Sequence, residues 1–142
     1  MKSKIVFLGI VATIPMLVLG CAQAPKQVSI EVSCNDFVNQ QHITKDVTVA
    51  AGDSFTVTLC SNPTTGFQWI EAATISDQTV VEQIGHQFIA PEDEELVGAP
   101  GKDVWTFRAL GKGKGTISME YGRPWEGGEK GEWTFVLKVT VK

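Results

Sequence analysis

The chain has 142 residues, with 12 lysines and arginines against 16 aspartates and glutamates, for a formal net charge of −4. An acidic chain without clustered lysines makes a poor nucleic-acid ligand, because the phosphate backbone is held by cations that displace counterions. Two histidines and three cysteines, with no CxxC, HxH or HExxH spacing, do not make a zinc site, so no metal is expected.

The first stretch reads as a processing signal. Lys2 and Lys4 form a short basic start, and Ile5 to Leu19 is apolar apart from Thr13. That run is too short for a comfortable membrane span and right for a signal-peptide core. Val18-Leu19-Gly20-Cys21 resembles a prokaryotic lipobox, which implies a diacylated Cys21 as the new N-terminus and an exported, membrane-anchored chain facing the periplasm or the exterior. Leu19 departs from the small residue usual at its position. An ordinary secretory peptide cut near Ala22 or Ala24 is the alternative. Residues 21–27, small and polar with Pro25, read as a tether. Loss of residues 1–20 leaves 122 residues carrying ten basic against sixteen acidic side chains, a net charge of −6. That length suits one core and is short for two domains, so 28–142 is a single domain.

From residue 28 onward a period of two dominates. Val28, Ile30, Val32 and Cys34 alternate with polar residues, as do Val47 and Val49, then Phe55, Val57 and Leu59. Weaker apolar runs at Val80-Val81 and Phe88-Ile89 supply one or two shorter strands. Trp105, Phe107 and Ala109 follow, then Ile117, Met119 and Tyr121, and finally Trp133, Phe135, Leu137, Val139 and Val141. No segment after residue 21 carries the i, i+3, i+4, i+7 spacing of an amphipathic helix over three turns. Seven to nine short strands, broken by Gly, Pro and Asn turns about every ten residues, predict an all-β fold, an antiparallel β-sandwich with one face of each sheet buried. A small β-barrel is the alternative architecture. Cys34 and Cys60 each close a strand-like run, and in an oxidising compartment they are expected to pair as a disulfide; two small buried thiols are the alternative.

Three loops stand out between the strands. In Asn62-Pro63-Thr64-Thr65-Gly66-Phe67 the proline fixes its own φ and biases Asn62 towards extended backbone, while Gly66 accepts a positive φ. The result is a stiff, uncharged tip, which also suits a purely structural turn. Leu96-Val97-Gly98-Ala99-Pro100-Gly101 follows the acidic run Glu92–Glu95, itself a solvated loop without EF-hand spacing. The third is Gly122-Arg123-Pro124-Trp125-Glu126-Gly127-Gly128. Trp125 there lacks alternating neighbours to bury it, and an exposed tryptophan on a stiff loop suits an interface anchor; folding back over a sheet edge is the other reading. Catalysis has little to stand on. His42 and His86 lie in polar surroundings, both domain cysteines are strand ends, and there is no helix for a phosphate loop to open.

Taken together, Asn62–Phe67, the segment Gly98, Ala99, Pro100 and Gly101, and Arg123-Pro124-Trp125 resemble the three signature loops of the chagasin-like family of cysteine peptidase inhibitors, over about residue 44 to the C-terminus. The second loop departs from the family's Gly-x-Gly-Gly tendency at Pro100, and Val28–Gln41 extends beyond the family's minimal core as a possible edge strand. The resemblance implies an immunoglobulin-like sandwich with the three loops side by side, forming a wedge that enters the cleft of a papain-like cysteine peptidase. It implies Thr64 and Thr65 over the peptidase's catalytic thiolate and histidine, Trp125 and Arg123 on the primed side, and Gly98–Gly101 along the non-primed side. Inhibition is then expected to be reversible, tight and competitive, by a monomer without metal or cofactor. The alternative function is an envelope lipoprotein that binds a glycan or protein partner through the same loops.

Overall fold

The computed structural model describes Gly20, residues 27–93 and residues 95–142. Residues 1–19 of the expected signal, the expected lipidation site Cys21 and the expected tether up to residue 26 lie outside the described residues. Among those described, no helix is long and apolar enough to cross a membrane.

The strands are β1 (Val28–Val32), β2 (His42–Val49), β3 (Ser54–Ser61), β4 (Gln68–Trp69), β5 (Thr74–Ile75), β6 (Val81–Ile89), β7 (Gly101–Ala109), β8 (Gly113–Gly122) and β9 (Trp133–Val141). One sheet has the order β1-β3-β7-β6; the other has the order β2-β9-β8-β4, with β5 also on β8. The alternation explains the layers. Along β9, Phe135, Leu137, Val139 and Val141 are buried, while Lys138 between them is exposed. Trp105, Phe55, Phe107, Leu59, Ile117 and Leu137 are wholly buried between the sheets. Trp69 of one sheet meets Trp105 of the other edge to face, with ring centroids 6.2 Å apart, a favoured aromatic geometry. Of the two weak apolar runs, Val81 and Phe88-Ile89 belong to one nine-residue strand, β6, with Val80 in the turn just before it; the register of β6 on β7 slips between Gln83 and Gly85.

Most pairings are antiparallel, but β1 lies parallel to β3 and β2 lies parallel to β9. The path of the chain explains both. It runs up β1, down β2 in the other sheet, and up β3, so β1 and β3 rise together. The descending β2 likewise matches the descending β9. Residues 61–68, 89–101 and 122–133 therefore all connect strands at one end of the sandwich, and β1 begins at the other.

The alternation through Cys34 does not continue as a strand. After Val32 the chain turns into a six-residue helix, α1 (Cys34–Asn39). The Ser33 hydroxyl accepts from the Asp36 N–H at 3.2 Å, and the Asp36 carboxylate accepts from the Ser33 N–H at 2.9 Å. This capping box starts a helix too short for sequence periodicity to register. The Ser33 hydrogen bonds hold the Asp36 carboxyl below its usual range. Cys34, in the first turn, is bonded to Cys60 near the end of β3, with Cα atoms 5.1 Å apart.

Candidate functional site

The first loop is built on a 3-10 turn at Pro63–Thr65. Thr65 N–H donates to the Asn62 carbonyl at 3.2 Å, and Gly66 N–H to that of Pro63 at 3.0 Å. Gly66 closes the turn with φ +80°, a left-handed conformation that costs glycine little. Both threonine hydroxyls are engaged inside the loop: Thr64 donates to Asn62 Oδ1 at 2.6 Å and Thr65 to the Asn62 carbonyl at 2.7 Å. Pro63, Thr64 and Thr65 are exposed; Asn62, Gly66 and Phe67 are half-buried.

Tyr121 of β8 is the floor of this loop. Its hydroxyl accepts the Asn62 N–H at 3.0 Å and lies 3.4 Å from the Asn62 carbonyl, and its ring stacks on Phe67 at 5.6 Å. Burial raises the Tyr121 phenol above its usual range, so it remains a neutral donor and acceptor.

Asn62 reaches the second loop, donating from Nδ2 to the Gly98 carbonyl at 2.9 Å. Gly98 has φ +84° and is exposed, as is Pro100; Ala99 is half-buried, and Gly101 is buried as the first residue of β7. The Ala99 N–H already donates to the Leu96 carbonyl at 3.1 Å, and Pro100 has no N–H. The prominent groups of this loop are instead two side chains outside the site residues expected from sequence. Leu96 is 61% exposed and Val97 is fully exposed. The signal was an apolar pair placed directly after an acidic run, where no strand could hide it.

The third loop folds against the first. The Arg123 guanidinium lies 4.4 Å from the centre of the Phe67 ring and 5.9 Å from that of Trp125, distances at which a guanidinium is attracted to an aromatic face. Arg123 also donates to the Thr65 carbonyl at 3.4 Å and pairs weakly with Glu129 at 3.7 Å, while its Nε is buried without a partner. The Lys130 ammonium bonds the Arg123 and Trp125 carbonyls, and Gly128 N–H donates to the Trp125 carbonyl at 3.1 Å. Pro124 is exposed. Trp125 is 51% exposed and leans on Gly66, where an added Cβ would lie 2.8 Å from its ring. It neither stands free nor folds back on a sheet edge. All three predicted segments thus meet around Asn62, Gly66 and Phe67.

The histidines are elsewhere. His42 is exposed, with Nδ1 2.9 Å from the Thr134 hydroxyl. His86 pairs with Asp103 at 2.7 Å and packs on Trp105.

Comparison with known proteins gives the family and the fold. The sequence profile of the chagasin family peptidase inhibitors I42 matches residues 48–139. Chagasin of Trypanosoma cruzi is 32% identical over 91 residues, which span 63% of this chain and 83% of chagasin. Amoebiasin-1 of Entamoeba histolytica is 32% identical over 96 residues, 68% of this chain and 89% of amoebiasin-1. Among solved structures, the cysteine protease inhibitor EhICP2 of Entamoeba histolytica superposes with a TM-score of 0.60 at 21% identity, covering 84% of this chain and all of that one. The chain belongs to the chagasin family of peptidase inhibitors.

Proposed function

We propose that this protein is a reversible, tight-binding, competitive inhibitor of papain-like cysteine peptidases, and that its three adjoining loops enter the active-site cleft. The single observation that carries the reading is the convergence of Asn62–Phe67, Gly98–Gly101 and Arg123–Trp125 into one bonded cluster at one end of a rigid sandwich. Family membership names the class of target.

The chemistry suits the task. The tip at Pro63–Thr65 is exposed and uncharged, so it enters a narrow cleft without stranding a buried charge. Its backbone is wound into a 3-10 turn, whereas a peptidase cleaves segments laid out as an extended strand. The loop therefore covers the catalytic thiolate and histidine without offering a bond placed for attack. Trp125 gives a partly exposed aromatic face for a pocket on the primed side, with Arg123 beside it. On the non-primed side the Gly98–Gly101 backbone approaches, and Leu96 and Val97 supply apolar surface next to it. Loops already bonded to one another lose little freedom on binding, so more of the contact energy appears as affinity. A three-loop surface of this kind reaches the standard interface of about 1,600 Å² in total.

We further propose that residues 1–20 are a lipoprotein signal, that Cys21 carries the lipid, and that the domain works outside the plasma membrane. Metabolic labelling with a palmitate analogue, lost in Cys21→Ala, tests that part.

The inhibitory reading is tested by titrating papain, and separately trypsin, with the purified chain. The expected result is stoichiometric loss of papain activity, with trypsin untouched and the chain uncleaved. A folded chain that leaves papain fully active at micromolar concentration would overturn the reading and direct attention to glycan and envelope-protein partners.

A further inference from the structure

The first loop is gripped at both feet by a segment outside the family match. Cys60, two residues before Asn62, is bonded to Cys34 at the start of α1. Trp69, two residues after Phe67, donates its indole N–H to the Cys60 carbonyl at 2.9 Å. Phe37 of α1 closes the circuit: its ring, wholly buried, packs on Trp69 at 5.3 Å.

Phe37 also begins a column of rings that ends under the loop tip. It stacks on Trp133 at 5.0 Å with 10° between planes, Trp133 stacks on Tyr121 at 4.7 Å and 10°, and Tyr121 stacks on Phe67 at 5.6 Å and 22°. Arg123 and then Trp125 extend the column past Phe67. Three signature-loop residues thus rest, ring by ring, on a helix whose Cys34 and Phe37 both precede the matched residues 48–139.

We propose that Val28–Gln41 is a brace for the inhibitory loops, with Phe37 and the Cys34–Cys60 bond as its positioning groups. None of them reaches the tip. They raise the fraction of molecules whose loops are already in the binding arrangement. This proposal rests on the inhibitor reading above and makes a kinetic statement that a plain structural staple would not. When only a fraction of an inhibitor is competent, apparent affinity falls by that fraction. The loss then appears in association, since the bound complex has its loops ordered by the partner.

The test compares the full chain, in mild detergent, with Phe37→Leu and with the double variant Cys34→Ser, Cys60→Ser. The peptidase is papain activated and then freed of thiol. Phe37→Leu keeps an apolar side chain in place, so it stays folded even if loss of the bond does not allow folding. The expected result is association about ten-fold slower with dissociation unchanged, whereas Trp125→Ala does the reverse. Hydrogen exchange at the Asn62 amide, donated to Tyr121, reads the same coupling without a peptidase and is expected to quicken in the brace variants, because exchange follows the open fraction, which rises as the ordered fraction falls. Folded variants with unchanged association overturn the proposal, however much their Tm has dropped. If the unaltered chain fails to inhibit papain, the inhibitor reading falls instead, and unchanged Asn62 exchange would overturn the brace on its own.

Discussion

Gly66 is where two constraints meet. Its φ of +80° is left-handed, and a methyl group there would strike the Trp125 ring at 2.8 Å. Gly66→Ala is therefore expected to cost about 1–2 kcal/mol in folding stability from the backbone alone, and also to push Trp125 off its seat. The measurement is inhibition against melting: a loss of papain inhibition well beyond the small change in Tm supports a seated Trp125 as the working conformation. Trp125→Ala removes a half-exposed ring that supports no strand, so it should weaken inhibition by about 2 kcal/mol or more, as interface anchors do, with Tm nearly unchanged. A large Tm drop would mean that the ring serves the fold. The double change of Thr64 and Thr65 to Ala is expected to weaken inhibition too, by a different route. Their hydroxyls bond Asn62, so the loss is one of loop order.

At the scale of single elements, β8 joins core to site, because Tyr121 is both a sheet residue and the floor of the first loop. Its phenol is held above the usual value of 10.0. The sign follows from linkage: the folded state binds that proton more tightly, so its contribution to stability is fully present below about pH 10 and is lost as pH rises through the folded value. Tyr121 is the only tyrosine of the chain, so phenolate absorbance reads its titration directly. Midpoints of urea unfolding should fall more steeply above pH 10 for the unaltered chain than for Tyr121→Phe; parallel curves would refute the assignment. Core truncations are plainer. Trp105→Ala or Phe135→Ala, each wholly buried, should cost about 3–5 kcal/mol by denaturant unfolding. Those strands were legible in the sequence because period two survives wherever one face is wet. α1 was not, because six residues give no helical period and Cys34 happens to continue the alternation of β1. The parallel pairings were not, because alternation says which face a residue occupies and nothing about its neighbouring strand. Trp133, which alternates like a core residue, is only partly buried and stacks between Phe37 and Tyr121. The three loops were legible as motifs, but their mutual bonds were not: Asn62 and Gly98 are 36 residues apart, and nothing local couples them.

The whole molecule has two ends with different duties. Strand β1 starts opposite Phe55 near the foot of β3, and β9 ends opposite Gly113 at the foot of β8. Both the beginning of the domain and Lys142 are therefore at the end away from the loops. Turn bonds gather that end: Ala51 N–H to the Lys142 carbonyl at 3.0 Å, Gly52 to Ala109 at 2.8 Å and Leu110 to Val80 at 2.8 Å. A nine-residue strand spans about 30 Å, so the three loops stand about that far from the start of the domain at Val28, and on the anchoring proposed above they would face away from the support. The arrangement suits a chain anchored through its N-terminus, and it makes a prediction that does not depend on the lipid. Chain coupled to a resin through residues ahead of Val28 should inhibit papain with the same stoichiometry and affinity as free chain. Coupling through a single thiol placed at Thr64→Cys, in a chain that also carries Cys21→Ser and keeps the native disulfide, should abolish capture. Active-site titration of papain on both resins decides the matter. Equal capture by both would mean that the binding surface lies elsewhere than at the loop end. Loss of capture on the N-terminal resin alone would mean that the tether end, and not the wedge, meets the peptidase.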